Sequence, residues 1–194
     1  MSEAPSPPRS TFRGKLWFFL LPAVFVALDL WSKAAAFAYV AEKAPFQQRV
    51  PTGLLPEPFG FDLVRYTNTG TIWGLGQTMT IPLIVLRMGA VVALVWFAAR
   101  TPAQRRFQLT VLGLVLSGAL GNLYDNLWMP DRGVRDFLLF FYRGKDGAEH
   151  MFPAFNVADS CITVGAIALA VILWREPTPT RAETAAVSSA GSEE

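Results

Sequence analysis

The sequence predicts an all-α integral membrane protein with four transmembrane helices. Of its 194 residues, 52% are hydrophobic and only 16% are charged, whereas roughly a quarter of the residues carry a charge in an average soluble domain. Four apolar segments each approach the roughly 20 residues that a helix needs to cross a bilayer; they are residues 16–40, 81–99, 107–127 and 155–174. We therefore expect one transmembrane domain, over residues 13–175, and no separate soluble domain.

The two ends of the chain differ in composition from the apolar segments. Residues 1–12 and residues 176–194 are rich in proline, serine and other small or polar residues, a composition typical of disordered segments. The first apolar segment follows a basic stretch, as in a signal peptide. It is longer than the apolar core of a signal peptide, and no small-residue cleavage site follows it cleanly, so we expect it to be retained as the first span.

The connections between the predicted spans are of two kinds. Residues 43–78 follow the first span and contain the stretch "FDLVRYTNTG", in which polar and apolar residues alternate. This pattern predicts a small, extracytoplasmic strand-containing element at the membrane surface. We expect residues 128–154, between the third and fourth spans, to form a polar loop, whereas the second and third spans are joined by the short connection "TPAQRR".

The distribution of lysine and arginine predicts how the spans are oriented. The cytoplasmic flanks of transmembrane helices carry an excess of these residues. They are densest before the first span, in the short second connection and directly after the fourth span (Arg9, Arg13, Lys15, Arg100, Arg105, Arg106 and Arg175). Both termini are therefore expected in the cytoplasm, and the longer connections 43–78 and 128–154 on the extracytoplasmic side.

With this topology, the polar residues of the spans gather in the extracytoplasmic leaflet. They lie in the second half of the first span, near the end of the third and near the start of the fourth (Asp29, Lys33, Asn122, Asp125, Asn156 and Asp159), and Asn68 and Asp136 lie in or beside the outer connections. A charged group in the hydrocarbon core is costly unless it is paired or faces a wet cavity. The clustering therefore indicates a polar site inside the bundle.

The spacing of these residues suggests how they are arranged. Asp29 and Lys33 are four residues apart, so they share one helical face and can neutralise each other. This pair either makes both charges tolerable in the membrane or supports a polar site. The Asn–Asp pairs at 122/125 and 156/159 are three residues apart, so each presents an amide and a carboxyl to the bundle interior. Polar contacts between helices would explain the amides, but they explain several unpaired carboxylates less well.

Other reactive side chains are scarce. The one histidine, His150, lies in a polar loop where we expect it to be solvated, and the one cysteine, Cys161, lies in an apolar run where we expect it in the core. A single cysteine excludes an intramolecular disulfide, and no Ser–Lys or Ser–His pattern is apparent. The scarcity of His and Cys disfavours a metal site, although carboxylates alone could hold a hard cation.

Paired aspartates are the chemistry that remains. Two carboxyl groups held close together cannot both ionise easily, so they share one proton. One of them can then activate a water molecule while the other protonates or hydrogen-bonds the carbonyl under attack. Such a pair hydrolyses a peptide bond without a covalent intermediate.

Five ordered blocks of the sequence resemble the bacterial lipoprotein signal peptidases, the signal peptidase II family. The blocks are "DLWSK" (29–33), "NTGTIWGL" (68–75), "GALGNLYDN" (118–126), "GVRDFL" (133–138) and "FNVADS" (155–160), and together they span most of the chain, from about residue 16 to residue 175. The resemblance implies an aspartyl endopeptidase of the bacterial cytoplasmic membrane. Such an enzyme removes the signal peptide from diacylglyceryl-modified prolipoproteins by cleaving before the lipidated cysteine, with no cofactor and no metal.

The resemblance also implies roles for the polar residues. The catalytic dyad would be Asp136 and Asp159. The substrate-binding or supporting residues would be Asn68, Gly70, Asn122, Asp125, Asn156, Asp29 and Lys33. The outer connection after the first span would cradle the substrate at the membrane surface. The expected partners are prolipoprotein substrates and membrane lipid; a net charge of +2 is too small to argue for nucleic acid, and we expect a monomer.

Three residues depart from the family's pattern. Asn126 stands where the family usually has arginine, and Arg132 or Arg135 could supply the missing charge from the loop. Trp73 replaces a smaller aromatic residue and would narrow the substrate pocket. Arg87 is unusual in the second span; it either extends outward to the interface or faces the site.

Two other functions are compatible with charged residues inside the membrane. A small transporter or proton-relay protein also carries intramembrane Asp and Lys, but its acids would line a route across the bilayer, and here they cluster at one face. The other possibility is a catalytically inactive homologue that only binds lipidated peptides. The departure at Asn126 favours it, and the presence of both acids of the dyad disfavours it.

Overall fold

The structure is a computed structural model that describes residues 15–70 and 80–175. The disorder predicted at 1–12 and 176–194, and the effect predicted for Trp73, concern residues outside these ranges. The bundle consists of α1 (Leu16–Lys43), α2 (Thr80–Arg100), α3 (Arg106–Trp128) and α4 (Val157–Arg175). All four helices are long and apolar enough to cross a membrane, which confirms the predicted four-span architecture.

Helix α3 lies at the centre of the bundle. It contacts each of the other three helices, and 61% of its most apolar 18-residue window is buried, against at most 22% for the others. Side chains of the outer helices such as Leu86, Val92 and Trp174 are exposed, and they form an apolar surface suited to lipid. Asn122, Asp125 and Asn126, in the second half of α3, are therefore enclosed by its neighbours.

Two glycines allow α3 to approach its neighbours closely. A Cβ atom at Gly118 would lie 2.3 Å from the carbonyl oxygen of Ala158 in α4, and one at Gly121 would lie 2.6 Å from Oδ2 of Asp29 in α1. Small residues serve this purpose at many helix contacts in membranes. Because of these glycines, α1, α3 and α4 meet where their polar residues lie.

The longer connections form a four-stranded antiparallel sheet in the order β1-β2-β3-β4. The strands are β1 (Arg49–Pro51), β2 (Phe59–Asn68), β3 (Val134–Arg143) and β4 (Glu149–Met151). Strands β1 and β2 confirm the strand-containing element predicted after the first span. The segment 128–154, predicted as a polar loop, contains β3 and β4 instead.

The residues of β3 do not show the pattern that predicts a strand. The stretch "VRDFLLFFYR" has no regular alternation of polar and apolar residues. Strands covered on both faces read as continuous apolar runs, which periodicity alone does not distinguish from other buried segments. β3 is an inner strand of the sheet, and its residues Val134, Asp136, Phe137 and Leu139 are buried.

A backbone bridge holds the chain before α4 against β3. The N–H of Leu138 donates to the carbonyl of Phe155 at 2.9 Å, and the N–H of Phe155 donates to the carbonyl of Leu138 at 3.0 Å. Asp136 lies two residues before this bridge and Asp159 lies four residues after it. The bridge therefore brings both acids to the same end of the bundle, beside the sheet.

Candidate active site

Asp159 lies in the first turn of α4, where it takes part in a reciprocal cap with Asn156. The N–H of Asp159 donates to Oδ1 of Asn156 at 2.9 Å, and the N–H of Asn156 donates to Oδ2 of Asp159 at 3.1 Å. This is the arrangement of a capping box. The N-terminus of a helix also stabilises a negative charge through the helix dipole, so α4 begins with a site that tolerates the carboxylate of Asp159.

The same helix end receives a third polar group, from α1. Oδ1 of Asp29 accepts the N–H of Ala158 at 2.9 Å. The first N–H groups of a helix have no backbone partner within the helix. Here the N–H groups of Ala158 and Asp159 are hydrogen-bonded to the side chains of Asp29 and Asn156. The start of α4 is fixed relative to α1.

Asp136 reaches the site from β3. Its Oδ1 accepts a hydrogen bond from Nδ2 of Asn156 at 2.7 Å, and it is also hydrogen-bonded to the side chain of Asn68. Oδ1 of Asn68 accepts the N–H of Gly70 at 3.1 Å, so a turn after β2 holds this amide, leaving its nitrogen as the donor to Asp136.

Asp136 and Asp159 therefore belong to one network, joined through Asn156, which hydrogen-bonds to both carboxyl groups. Asp136 is only 2% exposed, whereas Asp159 is half-buried. Burial and the negative charge of Asp159 raise the pKa of Asp136 from its ordinary value of 3.8 to about 7, because both disfavour its ionised form. The two acids thus differ: one is enclosed and readily protonated, and the other is accessible.

Lys33 lies at the centre of the supporting polar residues and is fully buried. Its Nζ lies 2.7 Å from Oδ2 of Asp29 and 3.2 Å from Oδ2 of Asp125, and it donates to Oδ1 of Asn122 at 3.0 Å. The predicted pair of Asp29 and Lys33 is present and is part of a larger cluster.

Asn122 connects this cluster to the acid pair. Its Oδ1 accepts hydrogen bonds from Lys33 and, at 3.2 Å, from Nδ2 of Asn156. Its Nδ2 donates to Oδ1 of Asp159 at 2.8 Å. An amide has one end that accepts and one that donates, so the buried ammonium of Lys33 determines which end of Asn122 faces Asp159.

Arg135 supplies the second cation of the cluster. Its Nη2 lies 2.6 Å from Oδ1 of Asp125, and its backbone N–H donates to Oδ2 of the same residue at 3.0 Å. Arg135, rather than Arg132, is therefore the cation beside Asp125. The backbone carbonyl of Arg132 instead accepts a hydrogen bond from Nδ2 of Asn126 at 2.6 Å. Two cations and two acids give this inner cluster (Asp29, Lys33, Asp125 and Arg135) no net formal charge.

Arg87 faces the site and does not extend away from it. Nη1 of Arg87 donates to Oδ1 of Asn126, and its guanidinium lies within Coulombic range of the carboxyl groups of Asp159, Asp136 and Asp125. Of the two alternatives left open by the sequence, the structure has the one in which Arg87 points inward.

The remaining reactive side chains lie elsewhere. His150 is exposed and stacks near Tyr142, as predicted for a solvated residue, and Cys161 is buried. Within residues 15–70 and 80–175, no group of three or more His, Cys, Asp or Glu side chains is arranged to hold a metal ion. The buried carboxylates instead have amide, ammonium and guanidinium partners.

All the predicted site residues lie in one connected network of hydrogen bonds and ion pairs. Its members are Asp136, Asp159, Asn68, Gly70, Asn122, Asp125, Asn156, Asp29 and Lys33. The sequence left open the contributions of Arg87 and Arg135. The stretch Asn156-x-x-Asp159 directly before an apolar run is itself typical of a helix N-terminus, so the sequence also predicts the cap of α4.

The fold and the site define a multi-pass membrane protein with a pair of carboxyl groups at one end of its bundle. The family profile described as signal peptidase (SPase) II matches residues 21–175. The chain belongs to this family, as its sequence blocks predicted. Membership supports a signal peptidase II function, that of a protease, in a multi-pass protein of a bacterial inner membrane.

Individual relatives agree with this family membership, and a solved structure agrees with the fold. The chain is 36% identical to a lipoprotein signal peptidase of Pseudomonas aeruginosa (strain UCBPP-PA14) over 165 residues, which cover 82% of this chain and 88% of that protein. It is 29% identical to that of Anoxybacillus flavithermus over 168 residues, covering 85% and 89%. A bacterial membrane enzyme solved in meso at 1.9 Å shares the fold, with a TM-score of 0.64, 24% identity, and coverage of 89% of this chain and 100% of that chain.

Proposed function

We propose that this protein is an intramembrane aspartyl endopeptidase that removes the signal peptide from diacylglyceryl-modified prolipoproteins, cleaving before the lipidated cysteine. Asp136 and Asp159 would be its catalytic dyad. The observation that carries this proposal is the contact of Asn156 with both carboxyl groups. The names of the relatives support the substrate class.

The two acids take different roles because their surroundings differ. Asp159 is half-buried, accepts two N–H donors and lies at a helix N-terminus, all of which suit an ionised base. Asp136 is enclosed and has a pKa of about 7, which suits an acid that holds a proton. General acid and base catalysis needs one group in each state.

The proposed reaction proceeds through a tetrahedral intermediate. Asp159 takes a proton from a water molecule while the oxygen of that water attacks the scissile carbonyl carbon. Asp136 gives its proton to the carbonyl oxygen. When the intermediate collapses, the proton on Asp159 passes to the leaving amine of the cysteine, and Asp136 regains a proton from the hydroxyl. The products are a signal peptide with a free carboxyl group and a lipoprotein with a free amine.

The other network residues hold this pair in place. Asn156 and Asn122 fix the distance and the orientation of the carboxyl groups, and Lys33 fixes Asn122. Asn68 and Gly70, at the end of β2, keep Asp136 on the side of the sheet where a substrate chain would lie. Asp29 and Asp125 neutralise Lys33 inside the bundle.

The location of the site follows from the proposed orientation. The density of basic residues favours cytoplasmic termini, which would place the sheet and the acid pair at the extracytoplasmic face. The apolar segment of a signal peptide ends at that face, so the scissile bond of a membrane-anchored substrate would reach the dyad. We keep the expectation of a monomer in contact with membrane lipid.

The test is cleavage of a diacylglyceryl prolipoprotein by the purified protein in detergent. Asp136→Asn and Asp159→Asn each remove one titrating group without changing shape, and we expect either to lower the cleavage rate by at least roughly 100-fold. The matched control is Asp146→Asn, at an exposed turn, which should cleave at the wild-type rate. If either dyad variant cleaved normally, the assignment of the dyad would be wrong.

A further inference from the structure

Arg87 is a cation inside a membrane span, and the reaction proposed above assigns it no role. It lies in the first half of α2, and its guanidinium is half-buried. Charged residues at such positions face polar partners or cavities. Its partner is Asn126, which is 3% exposed and whose Nδ2 is already committed to the carbonyl of Arg132. Oδ1 of Asn126 is thereby directed at Arg87, so the amide holds the guanidinium in place.

The charges of the site leave Arg87 without a counter-ion of its own. The inner cluster of Asp29, Lys33, Asp125 and Arg135 is balanced. Among the described residues, no ion pair includes Arg87, Asp136 or Asp159. The guanidinium of Arg87 nevertheless lies within Coulombic range of the carboxyl groups of Asp159, Asp136 and Asp125.

Charged groups from several elements surround the acid pair. Among the described residues they are Asp29 and Lys33 from α1, Arg87 from α2, Asp125 from α3 and Arg135 from β3. With one proton on the pair, its charge is minus one. Within the described part of the chain Arg87 forms no ion pair with a carboxylate, so its charge is available to match that of the acid pair.

We propose that Arg87 is the electrostatic positioning residue of the acid pair: held by Asn126, its guanidinium stabilises the single negative charge that Asp136 and Asp159 carry together. This inference rests on the proposed function. It assigns to α2, which contributes no other residue to the network, the task of keeping the pair in its active protonation state.

The proposal has a signature in the pH dependence of cleavage. A pair that must hold one proton gives a bell-shaped profile, with one limb for each of its two ionisations. Removing a nearby positive charge makes the loss of either proton harder. Both limbs should therefore move to higher pH, by about one unit, whereas a purely structural role would lower the profile without moving it.

The experiment compares pH profiles of cleavage in one detergent. Arg87→Gln keeps an N–H donor for Asn126 but removes the charge, and Arg87→Met is a second uncharged variant suited to an apolar helix in case the first does not accumulate. Both should show the shift. Arg87→Lys retains the charge and should keep both midpoints. Arg100→Gln, at the far end of the same helix, is the matched control and should resemble the wild type.

The outcomes separate this inference from the proposed function. If the wild-type protein did not cleave the lipidated substrate, the result would contradict the proposed function and also this inference, which rests on it. A wild type that cleaves, with uncharged Arg87 variants whose two midpoints stay in place, would overturn the role of Arg87 alone. A shift in the Arg87→Lys variant as large as that of Arg87→Gln would overturn it equally.

Discussion

Asn156 is the residue on which the geometry of the acid pair depends most. Its Oδ1 caps α4, its Nδ2 donates to Asp136, and its backbone N–H donates to Asp159. An amide places an acceptor and a two-hydrogen donor on two separate atoms of one short side chain. An aspartate here could still cap the helix, but it could not donate to Asp136, and it would add a third carboxylate.

Asp136 makes the stability of the protein depend on pH. Its pKa rises from 3.8 to about 7 in the folded protein, so between these values the folded state binds more protons than the unfolded state. The contribution of this group to stability is therefore complete below about pH 4 and is lost as pH rises through about 7. The Asp136→Asn variant does not titrate and should escape this loss.

The measurement is thermal unfolding of wild type and Asp136→Asn in detergent at pH 5 and pH 8. We expect the Tm of the variant, relative to wild type, to be higher at pH 8 than at pH 5 by about 3 °C or more. Asp146→Asn, which is exposed, is the control. A difference between variant and wild type that stays constant across this range would contradict the raised pKa.

At the scale of elements, α3 organises the site because its polar residues face different neighbours. Asn122 contacts α1 and α4, Asp125 contacts α1 and β3, and Asn126 contacts α2. A helix with polar groups on several sides is stable in a membrane only when other elements enclose it. The burial of α3 and its chemistry are thus two aspects of one arrangement.

The contact between α3 and α4 predicts a large effect for a small substitution. In Gly118→Ala the new methyl group would lie 2.3 Å from the backbone of Ala158, the residue before Asp159. The helices must separate, and we expect a loss of roughly 1–3 kcal/mol in stability together with slower cleavage. Gly89→Ala in α2 meets no atom within 4 Å and should neither lower stability nor slow cleavage. Equal thermal unfolding of both variants would contradict the close packing.

The elements of this fold differed in how well the sequence predicted them. The helices followed from long apolar runs, and the pair of Asp29 and Lys33 from its spacing. The sequence did not predict the inner strand β3, because apolar residues on both faces of the strand remove the alternation that identifies a strand. The contact of Arg135 with Asp125, and the inward direction of Arg87, depend on how separate elements pack. No local pattern carries that information.

For the whole molecule, orientation in the membrane is the property that a direct experiment can test. The native Cys161 is buried, so a new cysteine can be labelled selectively. Ala148 lies in the β3–β4 turn and Gln104 in the α2–α3 connection, and both are exposed. We expect a membrane-impermeant thiol reagent to label Ala148→Cys in spheroplasts and Gln104→Cys only in inverted vesicles. The reverse pattern would place the acid pair on the cytoplasmic side.

The hydrogen-bonded bridge between Leu138 and Phe155 has a consequence for how this chain can vary. It closes the loop of chain from Leu138 to Phe155, which contains the β3–β4 hairpin with its tip at Gly144–Ala148, and Asp136 and Asp159 lie just outside that loop. Insertions or deletions at the tip change the contour of the hairpin while the spacing between Asp136 and Asp159 stays the same. Evolution and engineering can therefore reshape what the protein presents at the water interface independently of its hydrolytic machinery.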